Sequence, residues 1–147
     1  MKIETRNFGA LEIDEKEIIT FCTGIYGFEE YKEYVLLYDD DIGLPFMWLQ
    51  SVKAKDVCFI LTDAETVGIT DYAPHLSAET RIELKLYGDD EPVFRLITVV
   101  PEHFIDATVN LKSPVVLNPK NKLASQVILD ENYPIKARLV PQTEGAK

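Results

Sequence analysis

Hydrophobic positions in this chain fall in short clusters separated by turn-forming residues, a pattern of strands rather than of long helical stripes. Val115-Val116-Leu117 and Val127-Ile128-Leu129 flank Asn118-Pro119-Lys120-Asn121-Lys122, which predicts two paired strands joined by a loop. Residues 2–8 and 11–13 alternate polar and apolar around Gly9-Ala10, a first hairpin. Further strands are predicted over 18–22, 34–38, 57–62, 93–100 and 135–140. The continuous apolar run over 57–62 predicts burial on both faces, as in a closed or strongly curved sheet. Helix is scarce: Ser77 caps a short helix to about Lys85, with Ile82 and Leu86 on one face, and 29–32 and 102–106 each have room for one turn. The expected fold is all-β: a small antiparallel β-barrel-like single domain over 1–140, with one or two short helices and a flexible tail over 141–147.

Composition narrows this. A chain of 147 residues with 46% hydrophobic side chains buries a core without staples. Met1-Lys2-Ile3-Glu4 opens without an apolar signal region, and no apolar run approaches the roughly 18 residues of a membrane helix. A soluble, cytoplasmic protein is expected. Cys22 and Cys58 each sit in an apolar, strand-like run, which points to buried free thiols rather than a disulfide or redox pair. The net charge of −10 is unevenly spread: residues 1–111 carry 22 acidic and 9 basic side chains, residues 112–147 carry 3 and 6. So negative a surface repels nucleic-acid phosphate and suits a basic protein partner.

Catalytic chemistry finds little support. His75 and His103 stand in no zinc-binding spacing, two cysteines without a CxxC make no zinc site, and Asp39-Asp40-Asp41 lacks the pattern of a calcium loop. Ser77 and Cys22 carry no signature of an activated nucleophile. Gly24-Ile25-Tyr26-Gly27-Phe28 has two glycines suited to positive φ and a sharp turn, without the lysine and hydroxyl residue of a phosphate loop. No enzyme activity, metal or cofactor is expected. Trp48, the lone tryptophan, reads as a core aromatic at a strand start, whereas Leu44, Pro45 and Phe46 lie nearer the turn and are expected to be exposed.

Four motifs in order carry a resemblance: G-x-x-G-F at Gly24 to Phe28, W-L-Q-S at Trp48 to Ser51, T-x-N-L-x-x-P at Thr108 to Pro114, and Q-x-I-L followed by Y-P-I-K-A-R-L between Gln126 and Leu139. Together they resemble the flagellar assembly factor FliW family over nearly the whole chain. Val109, where that family usually has alanine, and Asp63-Ala64, where aspartate-proline is common, are mild departures. The resemblance implies a β-barrel-like binding protein with two protein partners and no catalysis. One partner is flagellin, bound in the cytoplasm before export. The other is CsrA, the dimeric RNA-binding repressor of flagellin translation, which free protein captures and antagonises away from its core RNA-contact surface.

The acidity of the chain fits that expectation, because a negative protein docked beside an RNA site places like charge against phosphate. Asp39, Asp40, Asp41, Asp63, Glu65, Asp71, Asp89, Asp90 and Glu91 are the candidates for RNA exclusion, and Leu44, Pro45, Phe46 and Tyr72 for an apolar anchor. Two alternatives stay open. One is a ligand-binding or enzymatic barrel with Trp48, Tyr72 and His75 lining a pocket; the other is a flagellin chaperone without a regulatory arm. A filled barrel interior favours protein binding, and a deep pocket with converging polar groups favours a ligand.

Overall fold

A computed structural model of the chain describes residues 1–38, 46–100 and 106–139. The N-terminal hairpin pairs β1 (Lys2–Thr5) with β2 (Gly9–Glu12), turning at 6–8 rather than at Gly9-Ala10. The main sheet comprises β3 (Ile19–Thr23), β4 (Glu33–Leu37), β5 (Met47–Ser51), β6 (Cys58–Thr62), β7 (Val93–Val99), β8 (Thr108–Val109), β9 (Val115–Asn118), β10 (Leu123–Gln126) and β11 (Ala137–Arg138). Its order is β11-β8-β7-β6-β5-β4-β3-β10-β9, and pairing of β7 with β9 closes seven of these strands into a barrel. β8 and β11 extend beyond the ring along the far end of β7. The predicted all-β barrel is the observed fold, with one α-helix, α1 (Ala78–Glu83), and a 3-10 turn at Glu15–Glu17 among the described residues. Neighbours run antiparallel except at one seam, where β3 and β10 are parallel.

Alternation along the strands sorts side chains to the two faces of the barrel wall. Inward go Ile19, Phe21, Tyr34, Met47, Leu49, Leu61, Val115, Leu117 and Ala124, joined by Leu36, Phe59, Val93 and Ile97. These side chains fill the interior: the gap left among them is about 10 Å³, too small for a ligand. Tyr34 is wholly buried there, edge-on to Phe21 at 5.1 Å. Burial pushes its phenol pKa up to about 12. Among the described residues its hydroxyl meets no hydrogen-bond partner.

The outward face is covered in patches. The hairpin lays Ile3, Leu11 and Ile13 over Val35, Leu37 and Val52. Gln50, also outward and fully buried, accepts from Arg6 N at 3.0 Å and donates to Lys55 O at 3.0 Å, pinning the hairpin to the barrel. Trp48 is not in the core. It is half-buried on the outer face with Phe8 of the hairpin edge-on at 5.4 Å, because Met47 and Leu49 take the inward positions. α1 begins at Ser77, whose side chain accepts from Thr80 N. Its Ile82 is 67% exposed, contrary to expectation; Leu84 and Leu86, which follow the helix, are buried against Val116 instead.

Two sequence features acquire physical reasons. Gly27 has φ +89, but Gly24 is needed for space: a Cβ there would lie 2.8 Å from the Cα of Glu29. The second strand of the 115–129 region is Leu123–Gln126, not 127–129. Ser125 and Gln126, polar but buried, disguise it. The Gln126 side chain accepts from Tyr26 N at 3.0 Å and donates to Ser113 O at 3.1 Å, so the strand buries its polar atoms satisfied. Cys22 and Cys58 are free and half-buried, with burial raising both thiol pKa values. The last strand covers only Ala137–Arg138. The expected turn at 102–106 and the tail at 141–147 fall largely or wholly outside the described residues.

Candidate partner-binding surface

Among the sequence candidates, Asp63, Glu65 and Tyr72 are brought together. Asp63 follows β6 and folds back as an Asx turn, accepting from Thr66 N at 2.7 Å and from Thr66 Oγ1 at 2.8 Å. The turn is closed by Ile69 N donating to Ala64 O at 2.8 Å. Ala64, Val67, Ile69 and Tyr72 pack on a cluster built from Phe46, Leu96, Val109, Leu111 and Leu139. Tyr72 sits edge-on to Tyr133 at 4.8 Å, and its hydroxyl donates to Leu111 O at 2.7 Å. Burial holds its phenol far above the ordinary range. A second tie follows: Glu131 accepts from His75 N at 2.9 Å and from His75 Nδ1 at 2.7 Å. The His75 ring keeps the Glu131 carboxyl below its ordinary pKa.

The segment thus fastened forms one wall of an open groove of about 630 Å³, and Pro92 with the start of β7, residues 93–95, forms the other. Asp63, Glu65 and Tyr72 line it; Asp71 is exposed next to Tyr72 but does not. Asp89, Asp90 and Glu91 line a second recess, of about 410 Å³, with Asn118, Pro119 and Lys120. Asp90 is structural there. It accepts from Tyr87 N at 3.0 Å and pairs with the Lys120 ammonium, which holds its carboxyl below the ordinary range. Asp89 and Glu91 are exposed.

Other candidates are not brought to this surface. Asp39, Asp40, Asp41, Leu44 and Pro45 lie outside the described residues. Phe46 is 7% exposed, not presented at a turn as expected; it packs with the Leu96 and Leu139 cluster on the outside of the barrel, where burial of its ring outweighs its nearness to the turn. Trp48, Tyr72 and His75 do not converge: Trp48 lies by Phe8, Tyr72 lines the groove, and His75 faces Glu131. Sequence reasoning missed the β7 wall, Phe94 and Arg95 above all. The signal was a mismatch in length, because the apolar run over 93–100 outlasts its neighbour over 57–62.

Comparison with known proteins places this architecture. Residues 2–139 match the family model described as FliW protein. The chain is similar to the flagellar assembly factor FliW of Geobacillus sp. (strain WCH70), 40% identical and covering 97% of each chain. It is also similar to that of Caldanaerobacter subterraneus subsp. tengcongensis, 33% identical over 99% of this chain and 97% of the relative. A crystal structure of the flagellar assembly factor FliW superposes with a TM-score of 0.88 at 38% identity, covering 97% of this chain and 99% of that one. With a match running through both the hairpin and the closed barrel, the chain belongs to the FliW family of flagellar assembly factors.

Proposed function

We propose that this protein binds flagellin in the cytoplasm and, when free of it, binds CsrA and relieves repression of flagellin translation. The observation that carries a binding role, beyond family membership, is the filled barrel: side chains occupy the interior, and the acidic groups and grooves are outside. A surface of this kind works by contact with other proteins. Electrostatics supply the regulatory arm. With a net charge of −10, the protein docked on a basic RNA-binding dimer sets like charge against phosphate within the Debye length, roughly 8 Å at physiological ionic strength. Asp63, Glu65, Asp71, Asp89 and Glu91 contribute to that repulsion, as do Asp39, Asp40 and Asp41. Asp90 is largely spent on Lys120.

RNA displacement from purified CsrA tests this across a salt series. Charge reversal at Glu65 and Asp71 is expected to weaken displacement at low salt, with the difference shrinking as salt rises. Unchanged displacement by variants that still bind CsrA overturns the electrostatic part. Failure of the unaltered protein to bind either flagellin or CsrA overturns the whole reading.

A further inference from the structure

β7 is longer than the strand beside it. Its ladder with β6 runs from Ile60↔Thr98 to Thr62↔Leu96 and stops, because the Asp63 turn carries the chain away. On the other edge, residues 93–95 continue in register with β9. Asn110 N donates to Ile97 O on the β8 and β9 side, so the alternation of an antiparallel ladder turns the main chain of Phe94 the opposite way, into the groove. Among the described residues no strand pairs with this edge over 93–95. The edge is guarded, not bare. The Arg95 guanidinium donates to Phe94 O at 2.8 Å, and Pro92 has no N–H. Proline and a charged side chain are the usual devices that keep an edge from pairing indiscriminately.

We propose that this groove takes an extended, basic segment of a protein partner as an added strand on β7. The segment's main chain bonds at Phe94, and its lysine or arginine side chains meet Asp63 and Glu65. The hydrogen-bonding edge selects an extended chain, since a helix has already satisfied its own main chain. The charge follows from the facing wall, where Asp63 and Glu65 line the groove and Asp71 and Glu91 stand exposed near it. Arg95, which borders both the groove and the barrel interior, is turned onto Phe94 O. It swings aside when the incoming N–H takes that carbonyl. The inference rests on the protein-binding role and adds how one partner segment is held.

The probe is an alternating lysine-valine octapeptide, with two versions N-methylated on one or the other set of alternate residues. All three carry the same charge. Binding to the full chain is followed by the shift of the Phe94 amide resonance and by titration. Methylation of the set facing β7 is expected to weaken binding about tenfold or more, the loss that goes with one main-chain hydrogen bond. Methylation of the other set leaves binding unchanged. Glu65→Lys weakens binding of the unmethylated peptide, and Glu17→Lys, on the 3-10 turn, does not. Equal binding of all three peptides, shifts confined to residues away from the groove, or no binding at millimolar peptide overturns the proposal. Binding of the unaltered protein to purified flagellin and CsrA is measured alongside. If that binding holds while the peptide result fails, only the strand-addition site is lost.

Discussion

At the level of single residues, the barrel interior holds, among the described residues, a polar atom without a hydrogen-bond partner. The Tyr34 hydroxyl is buried among Phe21 and Phe59 and, among the described residues, lacks a hydrogen-bond partner. Removing a buried, unpartnered hydroxyl recovers desolvation free energy of about 1–3 kcal/mol, against a small loss of packing. Tyr34→Phe is therefore expected to leave the protein equally stable or more stable by about 1 kcal/mol. Urea denaturation checks it, and a clear destabilisation would mean that the hydroxyl has a partner. Much at this scale was readable from the chain. The free thiols, the Ser77 cap and the glycine-bearing turn all follow from local chemistry. Trp48 was misplaced because which face of a strand is inward depends on register, which local polarity does not record, and Phe46 because the cluster that covers it comes from segments distant in sequence.

Among elements, the ties between segments distant in sequence decide how the groove is held open. The 63–77 segment is fastened to the C-terminal part of the chain by Tyr72 on Leu111, Ala73 on Tyr133 and His75 on Glu131. Glu131 has its pKa lowered in the fold, by the His75 ring first and by main-chain donors after it. A carboxylate of this kind adds stability that is fully present above its unfolded pKa and disappears as pH falls through the lowered folded value. Stability of the native protein should fall more steeply between about pH 5 and pH 3 than that of Glu131→Gln, measured as urea midpoints at each pH. Parallel curves for the two proteins would count against the tie. Most strands were legible at this scale because their apolar runs coincide with the barrel wall. The strand Leu123–Gln126 was not, because its satisfied polar side chains imitate a loop, while 127–129 is apolar without belonging to a strand.

Over the whole molecule, sequence and structure agree on a closed, filled β scaffold with an acidic exterior. The groove itself was only partly legible. Asp63, Glu65 and Tyr72 stood out by type, but the facing wall is defined by where one ladder ends, which is a property of pairing and not of composition. The parallel seam between β3 and β10 has a further consequence. It joins Thr20 to Leu123, positions roughly one hundred residues apart, so loop-closure entropy must be overcome before that contact returns anything. During synthesis, the ring stays open until β10 has cleared the ribosome. A nascent chain ending before residue 123 is expected to remain protease-sensitive, and one extended past the last strand to become resistant. A flagellar assembly factor made this way completes its ring only after the last of the seven strands to be made, β10, has joined it.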